Sequence, residues 1–142
     1  MIEIITAMVT ATIIIVVCST LLKYISVKLL AATILCSIAF IYVGFALSDN
    51  ITQNVIIEVS VALIFYSIAI IGYSKNSYLI AYGIMAHGIW DIFHPHLNSV
   101  QTAIPDYWAL YCFVTDMILG IYFFLFFKIN SKAIKKNTVY PL

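Results

Sequence analysis

Charged side chains are scarce in this sequence. They make up 9% of its 142 residues, against about 25% in a soluble domain. With 64% of residues hydrophobic, the composition is that of a membrane protein. There is no arginine, and the net charge is only +1. A nucleic-acid partner is thereby excluded, because no basic stripe exists to neutralise phosphates. Cysteine is equally thin. Cys18, Cys36 and Cys112 stand singly in apolar runs with no CxxC pair. Their odd number excludes a full disulfide framework, and they read as small buried hydrophobes. Met1-Ile2-Glu3 lacks the positive n-region and cleavage site of a signal peptide, so the first apolar run is expected to stay on as a span.

What is abundant is long apolar sequence. A spanning helix takes about 20 apolar residues, so this length holds four or five spans and no separate soluble domain. The first runs from about Ile4 to Leu22, the second from Leu29 to Ser48, and the third from about Gln53 to Tyr73. The fourth runs from about Tyr78 to His94, where Pro95 disfavours helix at the residue before it. The fifth runs from about Asp106 to Phe127, followed by Lys128. The expected fold is all-α: a polytopic membrane bundle of five transmembrane helices over residues 1–129, with a short, loosely ordered cytoplasmic tail over 130–142.

The lysines orient that bundle. Lys23 and Lys28 fall between spans one and two, Lys75 between three and four, and Lys128, Lys132, Lys135 and Lys136 after span five. With five spans all seven lie on one side, while the other side carries Glu3, Asp49 and Asp106 and no lysine. Basic residues mark the cytoplasmic side, so the amino terminus is expected outside and the carboxyl terminus in the cytoplasm. Four spans would place lysines on both sides. Tyr24, Tyr73 and Tyr78 then sit at cytoplasmic ends, and Tyr107 and Trp108 at the outer end of span five, as interfacial aromatics do.

Against this background the ionisable residues inside spans stand out. In Met85-Ala86-His87-Gly88-Ile89-Trp90-Asp91-Ile92-Phe93-His94, the polar groups recur at i, i+4 and i+7, one helical face. Such groups are costly in a bilayer and usually face a bundle interior or a wet cavity. At about 1.5 Å per residue, Asp91 lies about 5 Å and His87 about 10 Å below the outer end of span four; Glu58 lies about 8 Å in on span three and Asp116 about 13 Å in on span five. Three helices thus bring acids or imidazoles to the outer half of the bilayer, and the inner half receives none. The economical arrangement is one cluster of Glu58, His87, Asp91, His94 and Asp116.

Bundle cores build metal sites from such side chains, with carboxylate and imidazole at i, i+3, the spacing of Asp91 and His94. The metal reading assigns His87, Asp91 and His94 as ligands of zinc, iron or manganese. Glu58 and Asp116 would be the catalytic carboxylates, as a general base or an added ligand. The plain alternative is a buried hydrogen-bond network that fixes helix packing. His96 reads as a solvated loop histidine, and Asp106 as a helix N-cap that would also reach the site mouth. Tyr42 and Tyr66 read as core residues in need of hydrogen-bond partners. Gly88 and Gly120 read as points of close helix contact between spans four and five.

The run His87-Gly88-Ile89-Trp90-Asp91-Ile92-Phe93-His94, followed by Pro105-Asp106-Tyr107-Trp108, Cys112 and Asp116, resembles a pattern in small bacterial integral-membrane proteins of unknown function. There an HGxWDxxH segment precedes a span that opens with aromatics and carries a Cys and an Asp, and Glu58 on the preceding span fits as well. Where that pattern often closes on adjacent histidines, Pro95 here separates His94 from His96. The resemblance covers about the last three spans and implies a multi-pass protein of the bacterial cytoplasmic (inner) membrane. It implies no reaction.

Better-known frames are absent. There is no HExxH for a zinc protease and no paired-Glu signature of CAAX-type membrane proteases. All three histidines lie within ten residues, so no second histidine-bearing span exists to sandwich haem. No lysine lies mid-span for a retinal Schiff base. Three functional readings therefore stay open. One is a metal-dependent enzyme acting on a lipid-soluble or outer-leaflet substrate. Another is a proton or cation transport or sensing subunit. The third is a structural or partner-binding subunit whose polar cluster only fixes packing. Membrane lipid is the expected surrounding partner, and homo-oligomerisation is compatible with each.

Overall fold

Apolar runs bounded by turn residues give a wholly helical set of described elements. They are α1 (Ile2–Leu21), α2 (Val27–Ala39), α3 (Ile41–Asp49), α4 (Thr52–Ser74), α5 (Tyr78–Phe93) and α6 (Trp108–Thr138), with a 3₁₀ turn at His94–His96. The structure, a computed structural model, describes residues 1–49, 51–97 and 102–138, with side chains through residue 130. Four apolar stretches are long enough to cross a membrane: Ile2–Leu21, Val27–Asp49, Thr52–Ser74 and Trp108–Asn130. The helix α5 has 16 residues and falls short of that length by itself. Pro95 at the start of the 3₁₀ turn ends α5, since proline cannot extend an α-helix from within.

Two elements differ from the sequence reading. The second apolar run is broken at Phe40 into α2 and α3. No proline or glycine stands there. On the preceding turns the Thr33 hydroxyl donates to the Leu29 carbonyl at 2.9 Å, and the Ser37 hydroxyl to the Thr33 carbonyl at 2.8 Å. Such back-bonding loosens the helical ladder and bends helices. The second difference is α6, which is described to Thr138, past residue 130 where the tail was expected to begin.

Side-chain neighbours fix the direction of each helix. The helices α5 and α6 run antiparallel, Tyr78 meeting Phe124 and Phe127 while His87 meets Asp116. The same holds for α4 and α5, where Glu58 meets His94 and Phe65 meets His87. By contrast α1 runs parallel to α6: Thr10 pairs with Tyr111 and Ser19 with Tyr122. Successive rods therefore alternate in direction, with α2–α3 counted as one rod and α5 as another. Lys23, Lys28, Lys75 and Lys128 come to one end of the bundle, and Glu3, Asp49 and Asp106 to the other.

The helix α5 is the hub, packing on α6, α4 and α2. Its buried positions Ile80, Ile84, His87 and Asp91 continue to the buried His94 at spacings of three and four. That is one stripe of a helix. The facing stripe of α4 is Asn54, Glu58, Ala62, Phe65, Ala69 and Gly72. Both stripes are apolar toward the lysine end, where Leu35, Ile80, Ile84, Leu119 and Phe123 fill the core, and polar toward the other end. Glycines bring α5 against α6. A Cβ at Gly120 would collide with the Met85 side chain and lie 3.1 Å from the Ala81 carbonyl oxygen. A Cβ at Gly88 would lie 3.0 Å from the Asp116 Cβ and 3.3 Å from the Phe113 carbonyl oxygen.

Gly120→Leu is accordingly expected to lower folding stability in detergent by about 1–3 kcal/mol through overpacking. Gly44→Leu, at a position with nothing within 4 Å of the added Cβ, is expected to be neutral or slightly stabilising. Thermal melts of the two variants beside the parent check this. Equal melting shifts would show that the α5–α6 approach does not require the glycine.

Candidate functional site

The polar face of α5 is flanked by an acid from each neighbouring helix. On the α6 side, the His87 Nδ1–H donates to Asp116 Oδ2 at 2.9 Å, and the same nitrogen stands 3.5 Å from Asp91 Oδ2. On the α4 side, the His94 Nε2–H donates to Glu58 Oε1 at 2.6 Å, and the Thr102 hydroxyl donates to that same oxygen at 2.8 Å. All five ionisable side chains are buried, Asp91 completely. They reach these places because their i, i+3 and i+4 spacing keeps them on the interior stripe of each helix.

The five residues form two groups. His87, Asp91 and Asp116 each offer one ligand atom, and these three atoms lie within 4.8 Å of one another. His94 is outside that triplet and is engaged by Glu58 instead. The sequence-based assignment of His87, Asp91 and His94 as ligands and of Glu58 and Asp116 as catalytic carboxylates thus meets a different grouping. Asp116 stands where His94 was expected, and His94 stands with Glu58. His96 is exposed in the 3₁₀ turn. Asp106 is exposed in the turn before α6 and borders an outward cleft of about 400 Å³ with Glu3, Tyr107 and Leu110.

Aromatic rings close the site laterally. The Tyr42 ring lies 4.4 Å from the His94 ring and 6.2 Å from the His87 ring, so it wedges between the two groups. Phe65 contacts His87 edge-on at 5.0 Å, and Trp90 contacts His94 at 5.8 Å. The sequence had left Tyr42 as a core residue in need of a hydrogen-bond partner. The break at Phe40 delivers it to the site. Thr102 carried no signal in the sequence, being one hydroxyl in a connecting loop. Its loop is pinned by the Ala103 N–H, which donates to Asp49 Oδ2 at 2.8 Å.

Several buried polar atoms here have no hydrogen-bond partner. They include both oxygens of Asp91, Glu58 Oε2, His94 Nδ1 and the Tyr42 hydroxyl, with Asn54 Nδ2, Trp90 Nε1 and Trp108 Nε1 around them. Among the described residues every such atom lies in the half of the bundle away from the lysines. Native proteins leave few buried polar groups unpaired, and an unpaired group calls for a water, an ion or a catalytic role. A buried carboxylate with both oxygens unpaired is the costliest of the set.

The triplet is a candidate metal-binding cluster: with ligand bonds of about 2.1 Å, neighbouring ligand atoms stand about 3.0–3.4 Å apart around a metal, and the separations at His87 Nδ1 are 2.9 and 3.5 Å. A cation would take the place of the proton between His87 and Asp116 and would draw in Asp91. The Glu58–His94 pair has the form of an oriented imidazole: the carboxylate holds the Nε2 edge of the ring, and Nδ1 has no hydrogen-bond partner.

The chain belongs to DUF6010, a family of unknown function, matched over residues 2–129. No curated protein matches the chain, and no solved structure does.

The Glu58–His94 pair is open to a double-mutant cycle. His94→Leu and Glu58→Leu are each expected to lower stability in detergent, since each leaves a buried partner short of a hydrogen bond. The double variant is expected to cost less than their sum, with a coupling of about 1–3 kcal/mol. Pairing Glu58→Leu with Asp116→Leu, which acts on the other group, should give coupling below about 0.5 kcal/mol. Additive behaviour of Glu58 and His94 in chemical-denaturation or thermal melts would contradict the pairing.

Proposed function

We propose that this member of DUF6010 is a five-pass protein of the bacterial inner membrane, amino terminus outside and carboxyl terminus cytoplasmic. It holds a divalent transition metal at His87, Asp91 and Asp116 and acts as a metal-dependent enzyme on a lipid-soluble substrate. The observation that carries the metal reading is Asp91: fully buried, facing His87 and Asp116, and held by a contact of 3.5 Å to the His87 ring nitrogen with no shorter bond to either oxygen. Two ionised carboxylates beside one imidazole would carry net negative charge whether or not the ring is protonated. Unit like charges about 4 Å apart repel by about 4 kcal/mol at an effective dielectric of 20. A divalent cation cancels that charge, and mixed nitrogen and oxygen ligands suit zinc, manganese or iron(II).

Five passes are supported by the alternation of the rods and by length. Together α5 and its 3₁₀ turn extend about 30 Å, the thickness of the hydrocarbon core. The gathering of lysines at one end supports the cytoplasmic assignment of that end. The site then lies in the outer half of the bilayer, within reach of an outer-leaflet headgroup or an isoprenoid. Three protein ligands leave coordination positions for a water or a substrate oxygen. Glu58 and His94 stand on the neighbouring face as a base, and Tyr42 separates them from the metal ligands. A relay crossing the whole membrane has less support, because all six acids lie in the half opposite the lysines.

Elemental analysis of protein purified in mild detergent is expected to find about one zinc, manganese or iron per chain. Asp91→Asn should reduce this to background with the helical circular dichroism unchanged. Metal-free parent protein that stays metal-free after incubation with each ion and desalting would refute the site. Lipid extracts from cells carrying the parent or Asp91→Asn are expected to differ in one lipid-soluble species. Identical extracts would remove the enzyme reading while leaving the metal site. Reporter fusions after Lys75 and after Lys128 are expected to be active only on the cytoplasmic side; external activity would overturn the orientation.

A further inference from the structure

The lysine end of the bundle carries a second feature that the site above does not use. An apolar groove of about 280 Å³ runs between α2 and α4, walled by Ala32, Thr33, Cys36 and Ala69 and capped at its mouth by Leu29 and Tyr73. It exists because the facing residues are small. Ala32, Thr33 and Ala69 leave a trough where leucines would have closed the helix pair. From Leu29 to Cys36 the groove follows α2 for about 10 Å, most of the depth of one leaflet's hydrocarbon. Its one polar wall residue, Thr33, has its hydroxyl turned back to the Leu29 carbonyl, so the trough itself is apolar.

Two lysines stand at the mouth end of this helix pair. Lys28 precedes Leu29 on α2, and Lys75 caps α4 two residues after Tyr73. The two helices are antiparallel, Phe40 meeting Tyr66, which brings both lysines to the same end of the groove. Among the described residues neither makes an ion pair, because the pairs all lie at the other end of the bundle. No acid of the sequence lies at the lysine end to balance them. An apolar trough most of a leaflet deep, in a helix pair that carries two lysines without an ion pair at the same end, is complementary to one kind of molecule.

We propose that the α2–α4 groove binds a phospholipid with an anionic headgroup, its acyl chain along Ala32, Thr33, Cys36 and Ala69 and its phosphate between Lys28 and Lys75. Anionic lipids are held by basic pockets between helices on the cytoplasmic side, and each nearby lysine adds measurable attraction. The proposal rests on the membrane reading and not on the metal. The alternative occupants are a zwitterionic lipid, held by the trough without regard to charge, and a second copy of the chain.

The test is native mass spectrometry of the detergent-purified protein titrated with phosphatidylglycerol or with phosphatidylcholine of the same acyl chains. The parent is expected to retain one phosphatidylglycerol with a preference of roughly tenfold over phosphatidylcholine. Lys28→Gln with Lys75→Gln should bring that preference close to unity, and these end positions leave the packed core untouched. Thr33→Phe, at an exposed position of the groove wall, should fill the trough and cut retention of both lipids, with metal content unchanged. Equal retention of the two lipids by the parent would overturn the proposal. So would an undiminished preference in the double lysine variant, or a lipid-free dimer that Thr33→Phe turns into monomer. A parent that takes up no metal while keeping its lipid preference would defeat the metal reading alone.

Discussion

Everything at the acidic end of this protein depends on one constraint: charge taken out of water must find a partner inside the fold. Five ionisable side chains are buried there, and four of them meet it in pairs. His87 is bonded to Asp116 and His94 to Glu58. Each pair joins α5 to a different neighbour, so the same bonds that satisfy the charges also set the rotation of α4 and α6 about the hub. The close approach at Gly88 follows from this arrangement, because a side chain there would push Asp116 away from His87. Asp91 lies beside the His87–Asp116 pair, 3.5 Å from the shared ring nitrogen, and is held more loosely than the other four. That loose engagement, in a fold otherwise arranged to satisfy its buried charges, is what the metal reading rests on.

Packing and chemistry are divided along the bundle axis. Toward the lysines the interior is Leu35, Ile80, Ile84, Leu119 and Phe123, a core held by shape alone. In a lipid surround such a core gains little from the hydrophobic effect and depends on close contact, which the glycine at position 120 permits. Toward the acids the interior is polar and under-satisfied. A metal bound there would serve a second purpose, because a ligand that binds only the folded state also stabilises it.

Much of this was legible in the chain. The apolar runs gave the helices, and the i, i+4, i+7 recurrence of His87, Asp91 and His94 predicted their common inward face. What spacing could not give was partnership. Whether Asp91 groups with His94 or with His87 depends on how far α4 and α6 are rotated about α5, a tertiary quantity with no local signal. The break at Phe40 was also hidden, since hydroxyl back-bonds like those of Thr33 and Ser37 recur at Thr12, Ser19, Ser60 and Ser67 in helices that stay unbroken. Tyr42 follows that break by two residues and meets the His94 ring.

The separation of the two ends has a consequence for how the protein works. The Leu29–Tyr73 mouth and Asp91 lie at opposite ends of α5, about 20 Å apart along its 1.5 Å rise, with a packed apolar core between them. A lipid in the α2–α4 groove therefore cannot act on Asp91 through contact or through charge screened over that distance. It can act only by changing how α2 and α4 pack on α5, and the element that would carry such a change is the α2–α3 rod. Its lower half lines the groove, its upper half carries Tyr42, and the helix break at Phe40 lies between them. That break thus stands between the two proposed binding places.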